Sequence, residues 1–154
     1  ELERLGATVE LIDLKNYFGK QGELNELVNN LGGLYVRGGN SFVLRQAMFL
    51  SGLDNIILAI AQRNDFLYIA YSAGVCVLTS YLSTYAITDD ANDFPYVGVT
   101  EQIWKGIGIF DFAFEPHYKS DHPESASTDL ENEYCIKNKI LFKAYRDGEV
   151  LIVE

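Results

Sequence analysis

Ser72 stands in Ala70-Tyr71-Ser72-Ala73-Gly74, where an apolar run changes character. Phe66-Leu67-Tyr68-Ile69-Ala70 is rich in β-formers. Val75 to Tyr85 reads as a helix, weakened at its start by the β-branched Val75 and Val77. A serine at a tight strand-to-helix turn, between small residues, has the form of a nucleophile elbow. Such a turn lifts the hydroxyl above the sheet edge. The helix N-terminus that follows favours the negative charge of an alkoxide or a tetrahedral oxyanion. The chemistry this suggests is hydrolysis through a serine nucleophile. The pattern departs from Gly-x-Ser-x-Gly at Ala70. A plain strand-to-helix turn with Ser72 as helix cap gives the same letters.

A second turn of the same kind precedes it. Leu34-Tyr35-Val36 reads as a short buried strand that runs into Arg37-Gly38-Gly39-Asn40-Ser41. A helix from Ser41 to about Leu50 follows, with Arg45 and Gln46 on its wetter side. In an open α/β sheet both turns fall at the carboxyl ends of strands, where such sheets bind ligands. Gly38 and Gly39 expose backbone N–H groups, and one of them can serve as an oxyanion donor opposite Ser72. The alternative is an ordinary turn with Asn40 as helix cap. Neither a dinucleotide fingerprint nor a phosphate loop is present.

The chain has two histidines. His117 lies in Phe114-Glu115-Pro116-His117-Tyr118, just past an apolar run that Pro116 stops, a fitting place for a general base. His122, in Lys119-Ser120-Asp121-His122-Pro123-Glu124, reads as a solvent-facing loop residue. The spacing His-x4-His matches no familiar zinc signature, so neither metal nor cofactor is expected. Candidate acids fall in two places. Asp147 sits in Arg146-Asp147-Gly148, between two β-prone runs, and Asp-Gly there is also a hairpin signal. Asp89 and Asp90, with Asp93, form a turn-rich cluster. A triad needs one buried carboxylate to hold the imidazole tautomer, and the residues alone leave the choice open.

The elements that must position these groups alternate. We expect a strand at Val9–Leu14, a helix at Gly22–Leu31, a third helix capped by Asp54, a strand at Phe110–Phe114, a helix at Pro123–Cys135 and a terminal hairpin. Asp89 to Gly108 reads as a long loop walling an active site, with a helical turn near Glu101–Trp104. The alternation predicts an α/β fold, a mostly parallel sheet with helices on both faces. The 154 residues, 48% hydrophobic, suit one domain with a real core. A net charge of −10 opposes nucleic acid as a partner. Cys76 and Cys135 form no disulfide framework, Cys76 reads as a packed small hydrophobe, and a reducing, cytoplasmic setting is expected. No run approaches the length of a membrane helix, so no membrane partner is expected.

Three blocks resemble peptidase family S51, the dipeptidase E and cyanophycinase group. They are Tyr35-Val36-Arg37-Gly38-Gly39-Asn40-Ser41-Phe42-Val43-Leu44, Tyr68-Ile69-Ala70-Tyr71-Ser72-Ala73-Gly74, and Phe112-Ala113-Phe114-Glu115-Pro116-His117-Tyr118. Their order and spacing agree with the family over nearly all the chain. The resemblance implies a three-layer fold related to class I glutamine amidotransferases. It implies a serine peptidase acting on small peptides beside aspartate, or a cyanophycinase-like exopeptidase. A noncatalytic relative that kept the turns is the other function class. By the resemblance Ser72 is the nucleophile, His117 the base, and Gly39 and Ala73 give the oxyanion N–H groups. Arg37 and Asn40 meet the substrate, Arg37 being the cation for its carboxylate. The acid falls at Asp147, matching a late position that is usually glutamate, or earlier at Asp89 or Asp90. Members carry two strand-helix units before the block that begins here near Val9. The chain is therefore expected to be the C-terminal portion of a longer domain, residues 1–154 forming its hydrolytic unit. A homodimer is compatible with the family.

Overall fold

Each strand of this chain is three or four residues long and leads into a turn. In the computed structural model, which describes residues 2–153, α1 (Gln21–Asn29) leads into β1 (Gly33–Val36). Next come α2 (Ser41–Ser51), α3 (Leu53–Ile60), β2 (Leu67–Ala70) and the single turn α4 (Ala73–Cys76). β3 (Ala113–Glu115), α5 (Ser125–Asn138) and β4 (Phe142–Ala144) complete the order. β1 pairs parallel with β2, Val36 opposite Ala70. β3 pairs parallel with β4, Glu115 opposite Ala144. Parallel neighbours need a crossover, which α2 and α3 supply for the first pair and α5 for the second. The expected α/β class with parallel strands is what forms, as two strand pairs rather than one continuous ladder among the described residues.

Local chemistry fixes the helix ends. Asn40 caps α2, its Oδ1 accepting from the N–H groups of Phe42 at 2.8 Å and Val43 at 3.0 Å, a device worth about 1 kcal/mol. Gly52, at φ 76°, ends α2 and turns the chain straight into α3. The apolar sides of α1, α2 and α3 meet in the main core, where Leu24, Val28, Met48, Ile56 and Ile57 are buried. A second cluster joins Phe42 and Cys76 to Leu82 and Tyr85. No helix among the described residues is long and apolar enough to cross a membrane.

Several expectations are corrected. Val9–Leu14 forms no strand, having no ladder partner among the described residues. The helix expected from Val75 to Tyr85 is one turn, α4, followed by a separate 3-10 helix at Ser83–Ile87. Its would-be continuation gives its carbonyls away. Val77 O accepts from Ile107 N at 2.8 Å and Thr79 O from Gly108 N at 3.0 Å. Gly106 permits that approach, since a Cβ there would lie 2.0 Å from Thr79 O. Glu101–Trp104 is not helical. The strand expected at Phe110–Phe114 is confined to β3, and the terminal hairpin is absent, because β4 pairs with β3 and Val150–Val153 joins no ladder. Arg45 and Gln46 are buried, not wet. The 89–108 segment covers them, Lys105 O accepting from Arg45 Nε at 2.9 Å and Asp93 O from Gln46 Nε2 at 2.8 Å. Asp54 is not a cap but the buried partner of Arg45 at 2.9 Å. The long loop therefore roofs α2, and of its residues only Asp89 reaches a cavity beside Ser72.

Candidate active site

The parallel pairing brings the candidate residues together by register. Val36 and Ala70 are opposite, so Gly38 and Ser72, each two positions further on, are neighbours. A Cβ on Gly38 would stand 2.8 Å from Ser72 Cβ and 3.1 Å from its Oγ, so only glycine lets the first turn close on the serine. Gly74 is fixed in the same way, because a Cβ there would meet Val36 O at 2.6 Å. The same hypothetical Cβ would lie 3.2 Å from Ala70 Cβ, which shows how tightly small residues are packed under the turn. Ser72 itself holds φ 50° and ψ −130°. This backbone region is costly for a residue with a side chain, and such strain gathers at functional turns.

The second pair does the same for the base. Glu115 and Ala144 are opposite, so His117 and Asp147 emerge from adjacent strand ends. The ladder continues past the strands through Tyr145 N to Glu115 O at 2.9 Å and Tyr118 N to Tyr145 O at 3.0 Å. His117 sits at φ 61°. Its Nδ1 lies 2.7 Å from Asp147 Oδ1, the distance of a strong charge-assisted bond. Asp147 is held in turn by its own N–H, which donates to Ser120 Oγ at 2.8 Å. Nδ1 being occupied, Nε2 is the nitrogen left to face a substrate or nucleophile.

Ser72 and His117 line two cavities that meet at the elbow. The outer one encloses about 780 Å³, with Phe66, Tyr71, Tyr145 and Leu151 among its walls and Asp147 at its rim. The inner one, about 20 Å³, has room for roughly one water-sized group. Gly39 and Ala73 border it, and neither amide N–H has a hydrogen-bond acceptor among the described residues. Two N–H groups beside a serine hydroxyl can receive a developing oxyanion.

The other candidates make no hydrogen bond to His117, although Asp89 lines the inner cavity. Asp89 Oδ2 accepts from Ser41 N at 2.8 Å, and Asp90 O accepts from Asn40 Nδ2 at 3.0 Å, so both aspartates brace the Gly-Gly-Asn turn. Burial raises the Asp89 carboxyl, opposed by the bonds from Ser41. Asn40 is engaged as the α2 cap, and Arg37 Nε reaches Tyr71 Oη at 3.4 Å; neither lines either of these two cavities. Arg63 and Arg146 are the arginines that do. Arg63 is bound to Asp65 at 2.9 Å, while the Arg146 guanidinium makes no salt bridge among the described residues, its backbone N–H donating to Glu149 Oε2 at 2.8 Å. Cys76 is a buried thiol, pushed up by burial, as a packed small hydrophobe should be.

Sequence reading missed the acidic wall that α5 adds. Glu131 lines the inner cavity and pairs with Glu115, which is fully buried. Glu115 Oε1 accepts from Thr84 Oγ1 at 3.3 Å, and Thr88 Oγ1 donates to Glu131 Oε1 at 2.6 Å. Glu115 Oε2 has no donor while both carboxyls are ionised; a proton on Glu131 supplies one. Burial first, then the bond to Glu115, pushes Glu131 up to about 9. No apolar stripe marks this face of α5, whose buried positions include Thr128, Glu131 and Asn132, so periodicity is silent about it.

This pair has a pH consequence. The folded chain holds a proton that the unfolded chain releases near the ordinary glutamate value of 4.5. The stabilisation is complete below that value and is lost as pH rises toward about 9. Glu131→Gln, which keeps an N–H donor at every pH, is expected to flatten this fall. The gain over wild type should grow by at most about 1.4 kcal/mol per pH unit across the window. Urea midpoints at pH 5, 7 and 8.5 measure it, and parallel wild-type and variant curves would contradict the shared proton.

Paired parallel strand ends that present a strained serine, a carboxylate-bound histidine and free amides define an α/β protein with its candidate site at the carboxyl ends of its strands. The chain belongs to peptidase family S51, whose sequence model matches residues 1–154. It is 32% identical over 139 residues to the uncharacterized peptidase Lmo0363 of Listeria monocytogenes, covering 90% of this chain and 64% of that protein. It is 29% identical over 126 residues to peptidase E of Streptomyces coelicolor, covering 79% of this chain and 48% of that one. A crystal structure of a candidate peptidase E from Listeria monocytogenes EGD-e superposes with a TM-score of 0.74 at 26% identity, over 94% of this chain and 64% of that one. The chain thus spans about half to two thirds of the length of these relatives.

Proposed function

We propose that this chain carries a serine peptidase centre for small peptides, with Ser72 as nucleophile, His117 as general base and Asp147 as the acid that orients it. The observation that carries this reading is the 2.7 Å contact between His117 Nδ1 and Asp147, on a histidine that shares both cavities with the strained Ser72. Ser72 Oγ attacks the scissile carbonyl while His117 Nε2 takes its proton. The Gly39 and Ala73 amides hold the oxyanion, and His117 returns the proton to the leaving amine. Water then repeats the sequence to release the acyl group. In this structure Ser72 Oγ makes no hydrogen bond to the imidazole, and such contacts commonly tighten only when substrate is bound.

The family supports peptides, and an aspartyl group is the finer reading. Its carboxylate needs a cation beside the elbow. Arg146 borders the outer cavity next to Asp147 and its guanidinium makes no salt bridge among the described residues, so it suits that task better than Arg37, which lines neither cavity. A fluorophosphonate probe tests the nucleophile, with labelling expected at Ser72 and nowhere else. Unlabelled, folded protein would favour a noncatalytic relative. Rates on aspartyl, leucyl and lysyl dipeptides then test the substrate. Aspartyl preference that falls on Arg146→Met supports the finer reading, whereas equal rates leave only the broader peptidase.

A further inference from the structure

The turn from His117 to Glu124 sets a second imidazole, His122, and a carboxylate, Glu124, beside the histidine of the proposed proton relay. Potential ligand atoms of His117, His122 and Glu124 all lie within 4.8 Å of one another. Glu124 Oε2 stands 3.8 Å from His117 Nε2 and 3.9 Å from His122 Nδ1. Both separations are too long for direct hydrogen bonds. They approach the roughly 3.4 Å that separates ligands on a tetrahedral ion with bonds of about 2.0–2.1 Å. We propose that His117, His122 and Glu124 bind a divalent transition-metal ion of the zinc class, and that this ion shuts the Ser72 site.

Three further observations support the site. The donor set, two histidines and one glutamate, is one that zinc accepts with a fourth position open. Asp147 at 2.7 Å on His117 Nδ1 is the carboxylate that metal-binding histidines usually carry behind them; it aims the Nε2 lone pair outward and makes it more basic. The backbone of the turn is also held before any ion arrives. Ser120 N donates to His117 O at 3.2 Å, and Ser125 N to His122 O at 3.0 Å. Ser120 N also donates to Ser125 Oγ at 3.2 Å.

One rearrangement is required. The two rings stack 3.6 Å apart at 7°, and an ion cannot lie in both ring planes at once. His122, whose side chain is one-third exposed, must swing out of the stack and release the 3.2 Å bond it accepts from Glu124 N. The partly buried His117, pinned by Asp147, stays. Coordination then occupies Nε2, the atom that takes the serine proton in the proposed mechanism, so the ion is an inhibitor and not a cofactor.

Binding is independent of that mechanism and only the shutting rests on it, so the test reads them separately. Cobalt(II) added to the protein should give a saturable visible absorption at one equivalent, displaced by zinc. His122→Ala and Glu124→Gln should each weaken that binding by at least ~10-fold. Turnover of each variant is compared with and without zinc, and the zinc giving half-inhibition should rise in step with the loss of binding. No saturable cobalt signal, or the same affinity in both variants, overturns the site. Saturable binding with unchanged turnover in an active enzyme overturns the inhibition. Binding intact in a protein that the fluorophosphonate never labels indicts the peptidase reading and leaves the metal site standing.

Discussion

Ser72→Ala is expected to lower kcat on any peptide substrate by on the order of 10⁴- to 10⁶-fold, the range found when a triad nucleophile is removed. The fold should not notice. Ser72 Oγ makes no hydrogen bond among the described residues, so its loss strands no buried partner there. The strained φ of 50° is imposed by the turn around it and is no worse for alanine. The packing that shapes the turn comes from Gly38 and Gly74, which are untouched. Unfolding free energy should change by less than ~0.5 kcal/mol, as for substitutions that remove no packing or hydrogen bond. Turnover and a urea curve on the same preparation separate the two effects. A stable variant that hydrolyses at near wild-type rate would remove Ser72 from the mechanism.

What the sequence disclosed follows from how local each signal is. The blocks around Gly38-Gly39, Ser72 and His117 were legible because a glycine turn or a strand-end histidine is written in adjacent residues, as are the apolar spacing of α1, the Asn40 cap of α2 and the proline just before α5. Errors arose where a distant segment decided the outcome. Residues 77–81 would continue a helix if 105–110 did not take their carbonyls. Arg45 looks wet until Asp54 and Lys105 O surround it. Asp147-Gly148 does form a turn, but β4 enters it beside β3 in parallel, so the turn ends a crossover and the hairpin never forms. Parallel pairing between residues 29 apart leaves no mark in a short window, and neither does the Glu115–Glu131 pair.

The same parallel register makes Asp147 the sharpest test of the proposed relay. Asp147→Asn preserves size and the N–H bond to Ser120 Oγ but reverses the polarity of the contact with His117 Nδ1. The amide either donates to Nδ1, placing the ring proton on Nε2 where it cannot accept from serine, or turns its oxygen inward without charge to stabilise the imidazolium. Either way kcat should fall by about 10⁴-fold, as in the chymotrypsin-type triad. Asp89→Asn is the control, because its amide oxygen can still accept from Ser41 N and it makes no hydrogen bond to His117. Its cost should be confined to stability, about 1 kcal/mol or less for weakening a charged acceptor at a capped turn. The two variants therefore separate on different axes, one in kcat at unchanged stability and the other in stability at unchanged kcat. The opposite pattern would move the acid to the Asp89–Asp90 cluster and leave the 2.7 Å bond as a brace between adjacent strand ends.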